Sequence, residues 1–149
     1  MKNFELNREN FKEEKELFLI HIYNKNWLDS YKDSMELAIR YFNQQYKWDK
    51  MFTINDVIER VKNGDNLFLL YYGREIIGYI FYKELDKDTC IAYNLYVTKI
   101  VERPENAAYW FYNRTSGHML QHYKKIICEA EEWNTKVHDI FFKTGFIEV

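Results

Sequence analysis

Hydrophobic positions in the first third of the chain recur at helical spacing. Between Trp27 and Tyr46, the residues Leu28, Tyr31, Met35, Ile39, Phe42 and Tyr46 follow one another at three- or four-residue steps, which puts them on one face of a helix about 30 Å long. A second stripe, Ile54, Val57, Ile58 and Val61, predicts a shorter helix. Thr53 is its expected N-cap, and Asp56 three residues on completes a capping-box pattern with Asp where Glu is usual. The polar run KNGDN closes it. The period then changes. Aromatic and aliphatic side chains crowd LFLLYY (67–72) and IIGYIFY (76–82), and the GRE between them predicts an antiparallel hairpin. CIAYNLYV (90–97) makes a third strand after the polar turn ELDKDT. Residues 106 to about 123 predict a helix in which Gly117, costing about 1 kcal/mol relative to alanine, marks a candidate break. KIICEA (125–130) predicts a fourth strand, 135–144 a last helix stopped by Gly145, and FIEV a short final strand. This order predicts an α+β fold, a mixed, mostly antiparallel twisted sheet flanked by helices. Its strand–helix–strand part from 90 to 130 needs a right-handed crossover where the two strands pair in parallel.

Composition narrows the class. At 149 residues, without repeats, low-complexity tracts or a Pro/Gly/Ser linker, the chain reads as one domain, 1–149, able to bury roughly 70% of its unfolded surface without metal or disulfide staples. Cys90 and Cys128 stand alone in apolar runs and read as thiols in a reducing compartment. The start MKNFELNREN is too polar for a signal peptide, and no apolar run approaches the roughly eighteen residues a membrane span needs. The expectation is a soluble, cytoplasmic protein. A net charge of -2, with lysines scattered among carboxylates, argues against a nucleic-acid partner. His118 and His122 have helical spacing, but Met119 stands where a zincin motif needs glutamate, so no metal is expected. There is no Gly-x-Ser-x-Gly elbow.

The stretch Arg103, Pro104, Glu105, Asn106 lies where a strand hands over to a helix. Local chemistry allows two readings: a capped helix that packs on the sheet, or a helix start whose free N–H groups hold an anion. Here the chain resembles the GCN5-related N-acetyltransferases. Their phosphate-binding signature is Arg or Gln, two free positions, Gly, one free position, then Gly or Ala. Arg103 to Ala108 follows it after the strand ending NLYV, with Asn106 in place of the middle glycine. Asn is the residue that best tolerates a left-handed backbone after glycine. A second similarity lies in NTKVHDIFFKTGF, where Asn134, Val137, Gly145 and Phe146 have the family's spacing and Phe141 stands at its usual tyrosine. The family continues past Gly-Phe through two strands, whereas four residues follow Gly145 here. On this resemblance the sheet edge is left bare, and a homodimer is expected to cover it.

The resemblance implies acetyl-coenzyme A as cosubstrate and an amine as acceptor. Backbone groups of Leu95 and Val97 would bind the pantetheine arm, and Arg103 with the amides of Asn106, Ala107 and Ala108 the pyrophosphate. Asn134 would orient cofactor or substrate, although it also reads as ordinary helix-start chemistry. The ring of Phe141 would face the sulfur without a proton to give. Glu129 is the candidate base, Glu84 its rival, and Tyr96 one of several candidates to protonate the departing thiolate. A protein amine, an aminoacyl-tRNA, a polyamine and a small metabolite all remain open as acceptor. The alternative is a catalytically inactive protein of this fold that serves as an interaction module, consistent with the substitutions at Asn106 and Phe141.

Overall fold

The amphipathic stripes and apolar runs fold as helices and strands with one addition. In the computed structural model, which describes residues 1–5, 7–9, 16–22, 28–45, 51–99, 103–128, 132 and 135–148, five strands form one sheet in chain order. They are β1 (Leu17–Ile22), β2 (Asn66–Tyr72), β3 (Glu75–Asp86), β4 (Thr89–Val97) and β5 (Lys125–Cys128). Neighbours are antiparallel from β1 through β4, and β4 pairs β5 in parallel. The described helices are α1 (Lys32–Gln45), α2 (Ile54–Lys62), α3 (Ala107–Leu120) and α4 (Thr135–Thr144). The mixed, mostly antiparallel α+β arrangement is therefore the observed one.

Three local differences from the sequence reading have physical reasons. β1 is the strand that pattern alone misses. Leu17 and Leu19 pack into one layer of the core and Ile20 and Ile22 into the other, so its six residues lack the apolar–polar alternation that marks a strand with one wet face. Gly117 does not break α3, which continues to Leu120. Phe146 to Glu148 are irregular and form no strand. Trp27 and Tyr46, expected at the ends of the first helix, lie outside the described residues.

The sheet separates two apolar layers. On one face α1 and α2 bury Met35, Ile39, Phe42, Val57 and Val61 against Tyr79, Phe81 and Tyr96. α2 starts in the expected capping box: the Asp56 N–H donates to Thr53 Oγ1 at 3.3 Å and the Thr53 N–H to Asp56 Oδ2 at 2.8 Å. The Arg60 guanidinium lies over the rings of Phe52, Phe81 and Tyr93 at 4.9–5.3 Å, which ties α2 to the sheet through cation–π contacts. On the other face α3 and α4 cover Phe68, Ile77, Ile80, Ala92 and Val97 with Phe111, Tyr112, Met119 and Phe141.

Two irregularities in the middle of the sheet matter most. Tyr79 pairs Tyr96 and Phe81 pairs Tyr93, so Ile80 alone opposes both Asn94 and Leu95. That extra residue is a bulge in β4, which shifts the alternation by one position. Cys90 and Ala92 face α3 and α4. Past the bulge Leu95 and Val97 continue on that side, and Tyr96 turns to the α1–α2 layer. Beside the bulge, Gly78 lets the strands close up: a Cβ placed there would stand 2.6 Å from the Tyr96 carbonyl oxygen. Gly78→Ala is expected to destabilise the chain by about 1–3 kcal/mol, because the clash is with backbone that cannot swing aside, and thermal unfolding should show a Tm lower by several degrees.

Candidate functional site

The parallel pairing of β4 with β5 runs, among the described residues, from Thr89 opposite Lys125 to Ala92 opposite Cys128, and Tyr93 to Val97 continue along β3. A cleft of about 710 Å³ opens on the α3–α4 face beside the end of β4. Leu95 and Val97 form its floor. Arg103, Glu105, Asn106, Ala108, Tyr109 and Tyr112 line the side that belongs to the β4–α3 loop and α3. Lys136, Val137, Ile140 and Lys143 line the α4 side, and Lys99 stands at the exit of β4.

Backbone bonds hold the exit of β4 in place. The Thr98 N–H donates to the Ile77 carbonyl at 2.7 Å, and the Lys99 N–H to Gln45 Oε1 at the end of α1, at 2.9 Å. The Ala107 N–H closes a turn onto the Pro104 carbonyl, and the Trp110 N–H reaches the Asn106 carbonyl. The amides of Ala108 and Tyr109 fall in the first turn, where helical geometry supplies no acceptor. They lie beside the cleft with the positive end of the α3 dipole. Asn106 makes no side-chain cap, and its φ of -89° is an ordinary backbone value. The left-handed conformation expected to require a glycine or asparagine here is not used. Arg103 is half-buried, with Nη1 donating to the Pro104 carbonyl at 3.3 Å. Four cations, Lys99, Arg103, Lys136 and Lys143, face one carboxylate, Glu105, among the described lining residues. The arrangement suits an elongated anion with an apolar middle.

The sequence-selected residues divide sharply. Leu95, Val97, Arg103, Asn106 and Ala108 meet in the cleft, whereas Ala107, expected to offer its amide there, is buried and donates that N–H to the Pro104 carbonyl. Glu84 pairs Cys90 near the other end of the sheet, about 16 Å along β4 from Leu95 at the usual rise per strand residue, so the structure does not bring it to the cleft. Tyr96 is turned by the bulge into the opposite layer, its ring 5.2 Å from Phe42 and 5.3 Å from Tyr79. Glu129 and Asn134 lie outside the described residues. Phe141, expected to face the cleft, is instead buried between Tyr112 and Phe146, with ring centroids at 6.2 and 5.2 Å. The cause is the helix end. Gly145, at φ +109°, donates to the Phe142 carbonyl and Phe146 to the Phe141 carbonyl, a Schellman motif whose usual apolar contact is this Phe141–Phe146 pair.

Lys99, Glu105, Tyr109, Tyr112, Lys136, Ile140 and Lys143 also line the cleft and were not singled out as site residues. For α4 a signal existed, since positions 136, 137, 140 and 143 share one helix face. Both cysteines are poor nucleophiles. Burial pushes the Cys90 thiol up to about 11, and burial followed by the nearby Cys90 pushes Cys128 up to about 12. Among the described residues there is no group of three His, Cys, Asp or Glu side chains that could hold a metal ion, and no helix long and apolar enough to cross a membrane.

No protein-family model and no curated protein sequence matches the chain. Solved structures do. An acetyltransferase from Streptococcus agalactiae superposes with a TM-score of 0.67 at 15% identity, covering 89% of this chain and 84% of that one. A ribosomal-protein-alanine N-acetyltransferase from Brucella melitensis gives 0.64 at 8% identity, covering 91% and 93%. The aminoglycoside N-acetyltransferase AAC(6')-Iy, solved in complex with CoA, gives 0.64 at 9% identity, covering 93% and 92%. The chain has the fold of the GCN5-related N-acetyltransferases.

The placement of Phe141 yields a direct prediction. Phe141→Tyr puts a hydroxyl into a layer made by Tyr112, Phe146 and their neighbours, and stability should fall by about 1–3 kcal/mol in chemical denaturation unless the hydroxyl finds an acceptor. An unchanged midpoint would mean that the ring edge reaches the cleft and its water.

Proposed function

We propose that this chain transfers an acetyl group from acetyl-coenzyme A to an amine. The observation that carries the reading is the cleft floored by Leu95 and Val97 at the end of β4, with the start of α3 at its rim. Acetyl-coenzyme A supplies an activated acyl carbon and a thiolate leaving group. Its charged end suits the α3 amides, Arg103 and Lys99. Its pantetheine arm suits the apolar floor made by Leu95 and Val97 and the facing Val137 and Ile140.

In the reaction we propose, the acceptor nitrogen attacks the thioester carbonyl directly. A C–N bond forms, the C–S bond breaks, and the electron pair leaves on sulfur. Direct transfer is favoured over an acyl-cysteine route because both thiols are held well above neutral pH by burial. For the amine's proton we propose Glu129, which follows Cys128 in sequence; Glu84 is too remote and Tyr96 faces the other layer. Phe141 has no part in proton transfer. The thiolate needs little help to leave.

Calorimetric titration with acetyl-coenzyme A should show one site per chain, and Arg103→Ala should weaken it about tenfold, the usual worth of a charge-assisted hydrogen bond. Because Asn106 has an ordinary φ, Asn106→Gly reports side-chain crowding alone and should tighten binding. Release of free thiol with a panel of amines tests the chemistry. Binding without release would support the inactive reading, and no binding at millimolar ligand would overturn the acetyl-coenzyme A reading and favour the interaction module.

We also propose a homodimer in the cytoplasm. The outer edge of β5 has no partner strand among the described residues. Beside it Leu120, Ile127 and Ile147 are 53, 37 and 79% exposed around an apolar groove. A second copy can cover this edge about a two-fold axis, β5 against β5. Light scattering at micromolar concentration should give twice the chain mass, and Ile127→Lys should return it to one.

A further inference from the structure

Three histidines from separate parts of the chain converge about one helix length from the cleft. His21 lies on the edge strand β1 opposite Phe68 of β2, and the two rings stack with centroids 4.4 Å apart. Its Nε2 is 3.0 Å from the Tyr82 hydroxyl of β3, and Tyr82 in turn stacks on Phe68 at 5.4 Å. α3 sets His118 5.7 Å from the same Phe68 ring, about 18 Å along the helix axis from Asn106. His122 follows in the turn after α3, its N–H on the Met119 carbonyl. β1 thus meets α3 through a stack of aromatic rings in which one imidazole is half-buried and two more stand at the exposed rim. Burial, and then His118, hold the pKa of His21 down at about 4; a bond with the Asn66 side chain works the other way, and His122 adds to the lowering. Facing His21 are therefore Asn66 of β2, Tyr82 of β3, His118 of α3 and His122 of the turn, and none of these four is a carboxylate.

We infer that His21 is an acid-sensitive latch: neutral, it holds the edge strand β1 on the sheet beside α3, and a proton on it releases that strand while β2, β3 and β4 stay paired. β1 is suited to this. It is six residues long and pairs with one strand, β2, among the described residues, so it opens at lower cost than the inner strands. A hydroxyl can donate to a neutral ring and accept from a charged one, so the Tyr82 bond survives protonation. The penalty falls on the charge, which would sit partly out of water beside two other imidazoles. In the released strand the ring is in water and takes up its proton at the ordinary value of 6.5. The stability that His21 lends to β1 is therefore whole above that value and is lost as pH falls from 6.5 toward 4.

The test is hydrogen exchange of the full chain, resolved by residue, between about pH 7 and pH 5 and corrected for the intrinsic effect of pH on amide rates. The amides of β1 should lose protection about tenfold across this range, less than the full linkage value because the ring is half in water, while those of β3 and β4 keep theirs. His21→Phe, which retains a ring on Phe68, should make β1 protection independent of pH over the same interval. His118→Gln with His122→Gln, at exposed positions, should lessen the dependence without abolishing it. Proton NMR of the imidazoles gives a second reading that needs no variant, in which His21 should titrate below about 5. A loss of protection shared by every strand, β1 protection that does not change with pH, an acid dependence that survives His21→Phe, or a His21 midpoint at its ordinary value overturns the inference. No coenzyme enters any of these measurements, so the acetyl-coenzyme A reading stands or falls separately.

Discussion

The site depends on a bulge in one strand of the sheet. Among the described residues β4 pairs β5 from Thr89 opposite Lys125 to Ala92 opposite Cys128, and it runs on along β3 to Val97. The bulge at Asn94 and Leu95 gives the cleft its floor, because it turns Leu95 and Val97 toward α3 and α4 and Tyr96 away. Gly78 permits this by leaving room for the Tyr96 carbonyl. One extra residue in one strand therefore decides which side chains can meet a ligand.

Around that cleft, the start of α3 brings helix-start amides to the same end of the sheet as Leu95 and Val97. α1 contributes at a distance, through Gln45 and the Lys99 amide. α4 closes the other side. Its inner positions serve two demands: Val137 and Ile140 line the cleft, while Phe141 is drawn into the core by the helix-ending turn and by Tyr112. A residue one position from the cleft wall can thus be wholly committed to packing.

Much of the architecture was legible in the sequence. Periodicity is a local property, so the stripes of α1 and α2, the Thr53–Asp56 box and the Gly145 stop could be read from neighbours in the chain. The strand-to-helix junction at Arg103–Ala108 was legible for the same reason, as was the α+β order. β1 was not, because a strand with apolar side chains on both faces has no apolar–polar alternation to display. Gly117 misled in the other direction: the tertiary packing of Phe111, Thr115 and Met119 outweighs about 1 kcal/mol of propensity.

By itself the sequence determined the elements, their order, and a helix start able to hold an anion, since each follows from residues within a turn or two of one another. Tertiary structure alone decided that Leu95 and Val97 share a cleft with Lys136 and Lys143, that Glu84 stands far from it, and that Tyr96 and Phe141 belong to the core. Those outcomes depend on a bulge and on the packing of α3 and α4 against the sheet. Each is settled by contacts between segments distant in the chain, which no local pattern records.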